Sequence, residues 1–204
     1  MILVPAVFLG LLAGWFRSRL SSKVWRVPEL KYAWLVLVFI IPQWLVFALP
    51  ISRDLFSKPL AASCLVLSQV GLLLFSLLNR HLTGMWIFSA GLILNLLVII
   101  SNGGFMPVST LTLSHLIPAT TLASLTVGER ISLNSKDILL APNAIKFSWL
   151  ADQFISPSWF PWRFIYSIGD VLIALGVFLL LTFDQNLQDN KQERKSLHVN
   201  TPII

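Results

Sequence analysis

Charge and cysteine are what this chain has least of. Asp, Glu, Lys and Arg make up 12% of its 204 residues, where soluble domains carry roughly a quarter, so a soluble globular surface is excluded first. With Cys64 as its one cysteine, the chain has no intrachain disulfide and no cysteine-built metal or haem site. His81 and His115 have no partners at ligand spacing, so no metal is expected. There is no Walker loop, no Gly-x-Ser-x-Gly and no haem-attachment motif, so no cofactor is expected either. The net charge of +6 is not gathered into one solvated domain. Its basic residues stand beside apolar runs, where they act as topology signals and contacts to anionic lipid, and no nucleic-acid partner is expected.

What is present in quantity is apolar sequence: 56% hydrophobic residues and a mean hydropathy of +0.79. The expected fold is an all-α membrane protein with about five transmembrane helices, at 2–16, 32–49, 60–78, 85–100 and 164–183, in a single polytopic domain over 1–183. The first run is short, about 22 Å as a helix. Arg17, Arg19, Lys23 and Arg26 follow it rather than precede it, the reverse of a signal peptide, so an uncleaved helix is expected. Pro42 inside the second run predicts a kink. Residues 184–204 read as a polar tail.

Between 101 and 163 lie 63 residues with no run long enough to span. Charges are spread thinly along them (Glu129, Arg130, Lys136, Asp137, Lys146, Asp152, Arg163), and five prolines interrupt them. A structureless loop of that length is uncommon unless functional, which predicts short helices or strands at the membrane surface. Trp149, Trp159 and Trp162 fit the interfacial belt that indole rings prefer. Counting Lys and Arg, with the 63-residue loop discounted for its length, puts the N-terminus outside. The 63-residue loop is then outside too, and the tail is in the cytoplasm.

Two carboxylates carry the candidate chemistry. Asp170 falls within the first turns of the last apolar run, and Asp152 lies eighteen residues before it. An ionisable residue inside a membrane helix is a functional candidate by default. Two neighbouring carboxylates do not both ionise cheaply, so one holds a proton while the other activates water. The plainer alternative is that Asp170 caps its helix or pairs with Arg163. Asn102, Gly103 and Gly104, followed by Pro107, read as a helix stop that uses left-handed glycine. Asn95, Ser167 and Arg163 are the supporting candidates around Asp170. Gln69 and Asn95 are amides that bond neighbouring helices in most spans.

Two resemblances attach to these residues. The segment 158–181, with Tyr166, Ser167, Ile168, Gly169 and Asp170 in sequence, resembles the last transmembrane segment of lipoprotein signal peptidases. That resemblance implies an aspartyl pair made of Asp170 and, within Leu150-Ala151-Asp152-Gln153-Phe154, Asp152. Ser167 and Gly169 replace that family's Asn and Ala, and its extracellular Asn-x-Gly element has no counterpart in 51–59. A broader resemblance rests on Asn102-Gly103-Gly104-Phe105-Met106-Pro107, Leu150-Ala151-Asp152 and Ser167-Ile168-Gly169-Asp170-Val171. It is to a bacterial family of small multi-spanning membrane proteins of unknown function, and it implies a fold and a cell-membrane location but no activity. The expected function is a non-catalytic accessory or assembly component of the bacterial inner membrane, partnered by the lipid bilayer and by other membrane proteins. The alternative is an intramembrane aspartyl hydrolase using Asp152 and Asp170.

Overall fold

Seven helices and four short strands make up the described part of the chain, which in the computed structural model comprises residues 2–21, 28–48, 56–132 and 135–183. The long helices are α1 (Leu3–Ser21), α2 (Trp34–Ala48), α3 (Lys58–Leu78), α4 (Met85–Ser101) and α7 (Ile168–Thr182). α1 and α3 are long and apolar enough to cross a membrane, whereas α2, α4 and α7 are shorter apolar helices. The expected loop 51–59 lies largely, and the tail 184–204 wholly, outside the described residues.

The five helices pack in the order α1, α7, α4, α3, α2; along the chain they alternate in direction, so the neighbours α1 and α7 both start at one end and run parallel. Phe47 near the end of α2, Lys58 at the start of α3, Asn102 at the end of α4 and Ser167 at the start of α7 all meet the segment 102–167. That segment therefore caps one end of the helices. Polar pairs tie neighbours together: Ser68 to Gln43, and Ser76 to Ser89 at 2.7 Å. At the opposite end buried Asn79 receives the Lys31 amide at 2.8 Å and donates to the Lys31 carbonyl at 2.9 Å. Gln69 Oε1 is buried without a partner.

α4 and α7 approach almost backbone to backbone. A Cβ on Gly91 would lie 2.6 Å from the Gly169 carbonyl oxygen, and one on Gly176 would lie 2.7 Å from Phe88 Cβ. Small residues at a helix contact permit this, and the gain is close van der Waals packing.

Three expectations are corrected. The first helix does not stop at 16 but runs to Ser21 through two arginines. Hydropathy ends at the first charge, but Arg and Leu are good helix formers, and Arg17 lies over the Phe183 ring at 4.7 Å. The last helix starts at Ile168 rather than 164, because Ile165 and Tyr166 pair with a strand and Ser167 caps. The fold is mostly helical rather than all-α. The cap holds β1 (Met106–Ser109), α5 (Thr110–Ser114), α6 (Ala119–Ala123), β2 (Asp137–Leu140), β3 (Phe154–Ile155) and β4 (Ile165–Tyr166). Strands of two to four residues, one containing Pro107, are too short to show a period of two.

Candidate functional site

The cap is seated on the helices at the end of α4. Asn102 closes that helix, and Gly103 and Gly104 follow at φ +78° and +86°. The Gly104 amide donates back to the Ile99 carbonyl at 2.8 Å, the bond that marks a Schellman stop. The Asn102 side chain then acts outward. Its amide donates to the Val98 carbonyl at 2.8 Å and the Lys146 carbonyl at 3.0 Å, and its oxygen accepts from the Lys146 amide at 3.0 Å. The residue that ends the helix thus holds a segment 44 positions away. Buried Phe105 and Met106 anchor the chain beneath it.

β1 is the centre of the cap. On one side it pairs in parallel with β2, Met106 opposite Asp137 and Val108 opposite Leu139. On the other side Val108 bridges to Asp152. Leu150 and Ala151, just before Asp152, are buried in the same core as Val98, Ile99 and Phe105. Two residues later β3 pairs with β4 in antiparallel register, Phe154 opposite Tyr166 and Ile155 opposite Ile165. Continued by two residues, that register sets position 152 across from position 168, in the first turn of α7. A hairpin thereby folds Asp152 back toward the helix start that carries Asp170.

At that start Ser167 and Asp170 form a capping box. The Asp170 amide donates to Ser167 Oγ at 3.1 Å, and the Ser167 amide donates to Asp170 Oδ2 at 3.3 Å. Asn95 of α4 completes the arrangement: its Nδ2 donates to Asp170 Oδ1 at 2.9 Å, and its Oδ1 accepts from Ser167 Oγ at 3.1 Å. A Cβ on Gly169 would collide with Asn95 Oδ1, so glycine is what lets the amide in. Both oxygens of Asp170 are engaged, and its charge faces the positive end of the α7 dipole. Arg163 instead donates to the His115 carbonyl at 3.4 Å. Among the described residues the one ion pair within 4.0 Å is Lys58 with Glu129 at 3.2 Å.

Asp152 is in a different state. It is 3% exposed, and its Oδ1 has no hydrogen-bond partner. Burial pushes its carboxyl up to about 7; Lys136 opposes the shift, and the Asp137 and Asp170 carboxylates add to it. No hydrogen bond joins Asp152 to Asp170 among the described residues. They act on each other, and on Lys136, through space. Burial alone would push the Lys136 ammonium down, but Asp152, Asp170 and Asp137 together outweigh it and raise it.

Lys136 and Asp137 take part in this cluster although nothing in their sequence context marks them. An adjacent Lys and Asp in a loop is the commonest kind of solvated pair. Only the pairing of β2 with β1 carries them inward. Arg130 is a second such residue. It lies 5.5 Å from the Phe47 ring and 5.9 Å from that of Phe105, and burial lowers its pKa.

The model of a family of unknown function (DUF5317) matches residues 28–182. An uncharacterised protein of Thermotoga maritima is 31% identical over 147 residues, which is 70% of this chain and 75% of that protein. No solved structure matches. The family match agrees with the broader of the two resemblances. Neither finding supports the one to lipoprotein signal peptidases.

Proposed function

Given that the chain belongs to the DUF5317 family of unknown function, we propose that it is a multi-pass protein of the bacterial inner membrane and a non-catalytic accessory or assembly component. In this reading α1, α2, α3, α4 and α7 all cross the bilayer. The N-terminus and the cap are outside, the tail is in the cytoplasm, and 1–183 act as one domain. The alternating helix directions and the arginines at the inner end of α1 support it. The observation that carries the non-catalytic role is the engagement of both Asp170 oxygens by Asn95 and the Ser167 amide. A carboxylate committed to a helix cap and an interhelical bond has little freedom to activate water.

One observation favours the alternative, an aspartyl hydrolase. Burial pushes the Asp152 carboxyl up to about 7, and such a pair requires one carboxyl that readily holds a proton. The readings part on Asp170→Ala. As a structural cap, Asp170 should take about 1–2 kcal/mol of stability with it, read as a lower melting temperature in detergent. Removing a catalytic carboxylate leaves stability unchanged or raises it, so an undiminished melting temperature would refute the structural role.

A further inference from the structure

The hairpin between β3 and β4 builds an aromatic wall that an anchoring role leaves unused. Buried Ser156 ties its two arms together. The Ser156 amide donates to the Phe164 carbonyl at 2.9 Å, while its Oγ accepts from the Phe164 amide at 3.1 Å and donates to the Trp162 carbonyl at 3.0 Å. The Phe160 amide closes the turn on the Pro157 carbonyl at 3.0 Å. With the backbone held, the Phe160 ring meets Trp162 edge to face at 6.1 Å and Phe164 at 5.6 Å, the geometry that aromatic pairs prefer. The three rings are thus fixed in place by the hairpin itself.

That wall faces the first turns of α1 across a cavity of about 490 Å³, lined by Val4, Pro5, Phe8, Phe160, Trp162 and Phe164. Its size is within the range of small-molecule sites. Among the lining side chains the Trp162 indole N–H is the one polar group, so the lining offers water too few partners. Phe8 lies five residues past the start of α1, about 7.5 Å along its axis, so the hairpin hangs beside the helix rather than above it. Val4 and Phe8 are 73% and 62% exposed, so the cavity opens sideways. Below it Leu12 and Phe16 continue the Phe8 stripe, exposed at one-turn intervals. From Val4 to Leu12 this track runs about 12 Å, within the roughly 15 Å of hydrocarbon in one leaflet. An elongated apolar track that opens at the side fits a flexible alkyl chain, not a compact polar ligand.

We propose that the cavity holds one acyl chain of a bilayer phospholipid as a bound ligand, seated between the first turns of α1 and the aromatic wall and running on down the Phe8, Leu12 and Phe16 stripe. α1 stands at the edge of the helix row and packs chiefly on α7, so acyl chains are what surround the opening. Rings already locked by the hairpin lose little freedom when a chain docks, which separates this site from the open faces of the other helices. This rests on the membrane reading above, which fails separately if the chain is recovered in the supernatant after alkaline carbonate extraction.

The test uses the full chain purified in non-ionic detergent and titrated with a phosphatidylcholine that carries a diazirine in the upper half of one acyl chain. After illumination, the adducts are located by mass spectrometry of the peptides. Residues 4–8 and 160–164 should reach half-saturation at a lipid fraction about tenfold or more below that needed at Ile93 and Leu97, which stand exposed on α4 near the same end. Phe8→Ala, at an exposed position, should raise the half-saturation point about fivefold or more. Ser156→Ala removes the tie and none of the lining side chains, and it should do the same, with its melting temperature read alongside. Labelling at the cavity that rises in step with α4, no labelling there, protection of residues 4–8 by a second copy of the chain, or a half-saturation point unchanged in both variants would each overturn the proposal.

Discussion

Replacing Asp152 by Asn should change the pH dependence of stability more than stability itself. Asn keeps the shape of the side chain and removes its titration. In the folded protein the Asp152 carboxyl is pushed up to about 7 from an ordinary value of 3.8. Between those values the native state holds a proton that the unfolded chain has released, so stability falls as pH rises through the window and levels off above about 7. The whole window is worth about 4 kcal/mol, and the stretch from pH 5 to pH 8 about 2.5 kcal/mol. Asp152 is 3% exposed, so solvent screening removes little of this. Lys136, the main opposing charge, is raised above its ordinary value and does not titrate between pH 5 and 8. Tryptophan fluorescence melts of the two proteins in the same detergent, across pH 5–8, give the difference directly, because groups common to both cancel. The parent should lose roughly 5–10 °C relative to the Asn variant as pH rises, at about 2–4 °C per kcal/mol. Two melting curves that stay parallel from pH 5 to pH 8 would refute the buried state of the Asp152 carboxyl, whose Oδ1 has no partner.

Gly104→Val forces a β-branched residue to φ +86° and sets its Cβ 2.6 Å from Ala62 Cβ; a loss of about 3 kcal/mol, read as reduced folded yield, is expected, and parent-like yield and melting would contradict the Schellman stop. A cysteine at Ser196, in a background with Cys64 replaced, should react with a membrane-impermeant reagent only after the cells are opened, and labelling of intact cells would invert the orientation.

The long helices were legible because their cause is local and repeated. Fifteen to twenty apolar residues in a row make a helix wherever they go, and in 58–78 and 85–101 expectation and structure differ by two residues or fewer at either end. Asn102, Gly103 and Gly104 could be read for the same reason, since a left-handed turn requires glycine whatever lies around it. The ends of α1 and α7 were misplaced because hydropathy is blind to what ends a helix. Arg17 and Arg19 continue α1, while the pairing of Ile165 and Tyr166 with β3 delays α7.

By itself, the sequence determined the apolar helices, the stop after α4 and the presence of two aspartates worth attention. Only the tertiary structure decided what those aspartates are. Asp170 became a doubly bonded cap because Asn95, 75 positions earlier, reaches it past Gly169, where there is no Cβ to block the way. Asp152 became a buried group near neutrality because β1 and a two-residue hairpin carry it under the cap beside Lys136 and Asp137. A carboxyl's protonation depends on the charges and solvent within a few ångströms of it. Which residues those are is set by strand pairing between distant segments, and a pairing two residues long leaves no periodic trace in a sequence.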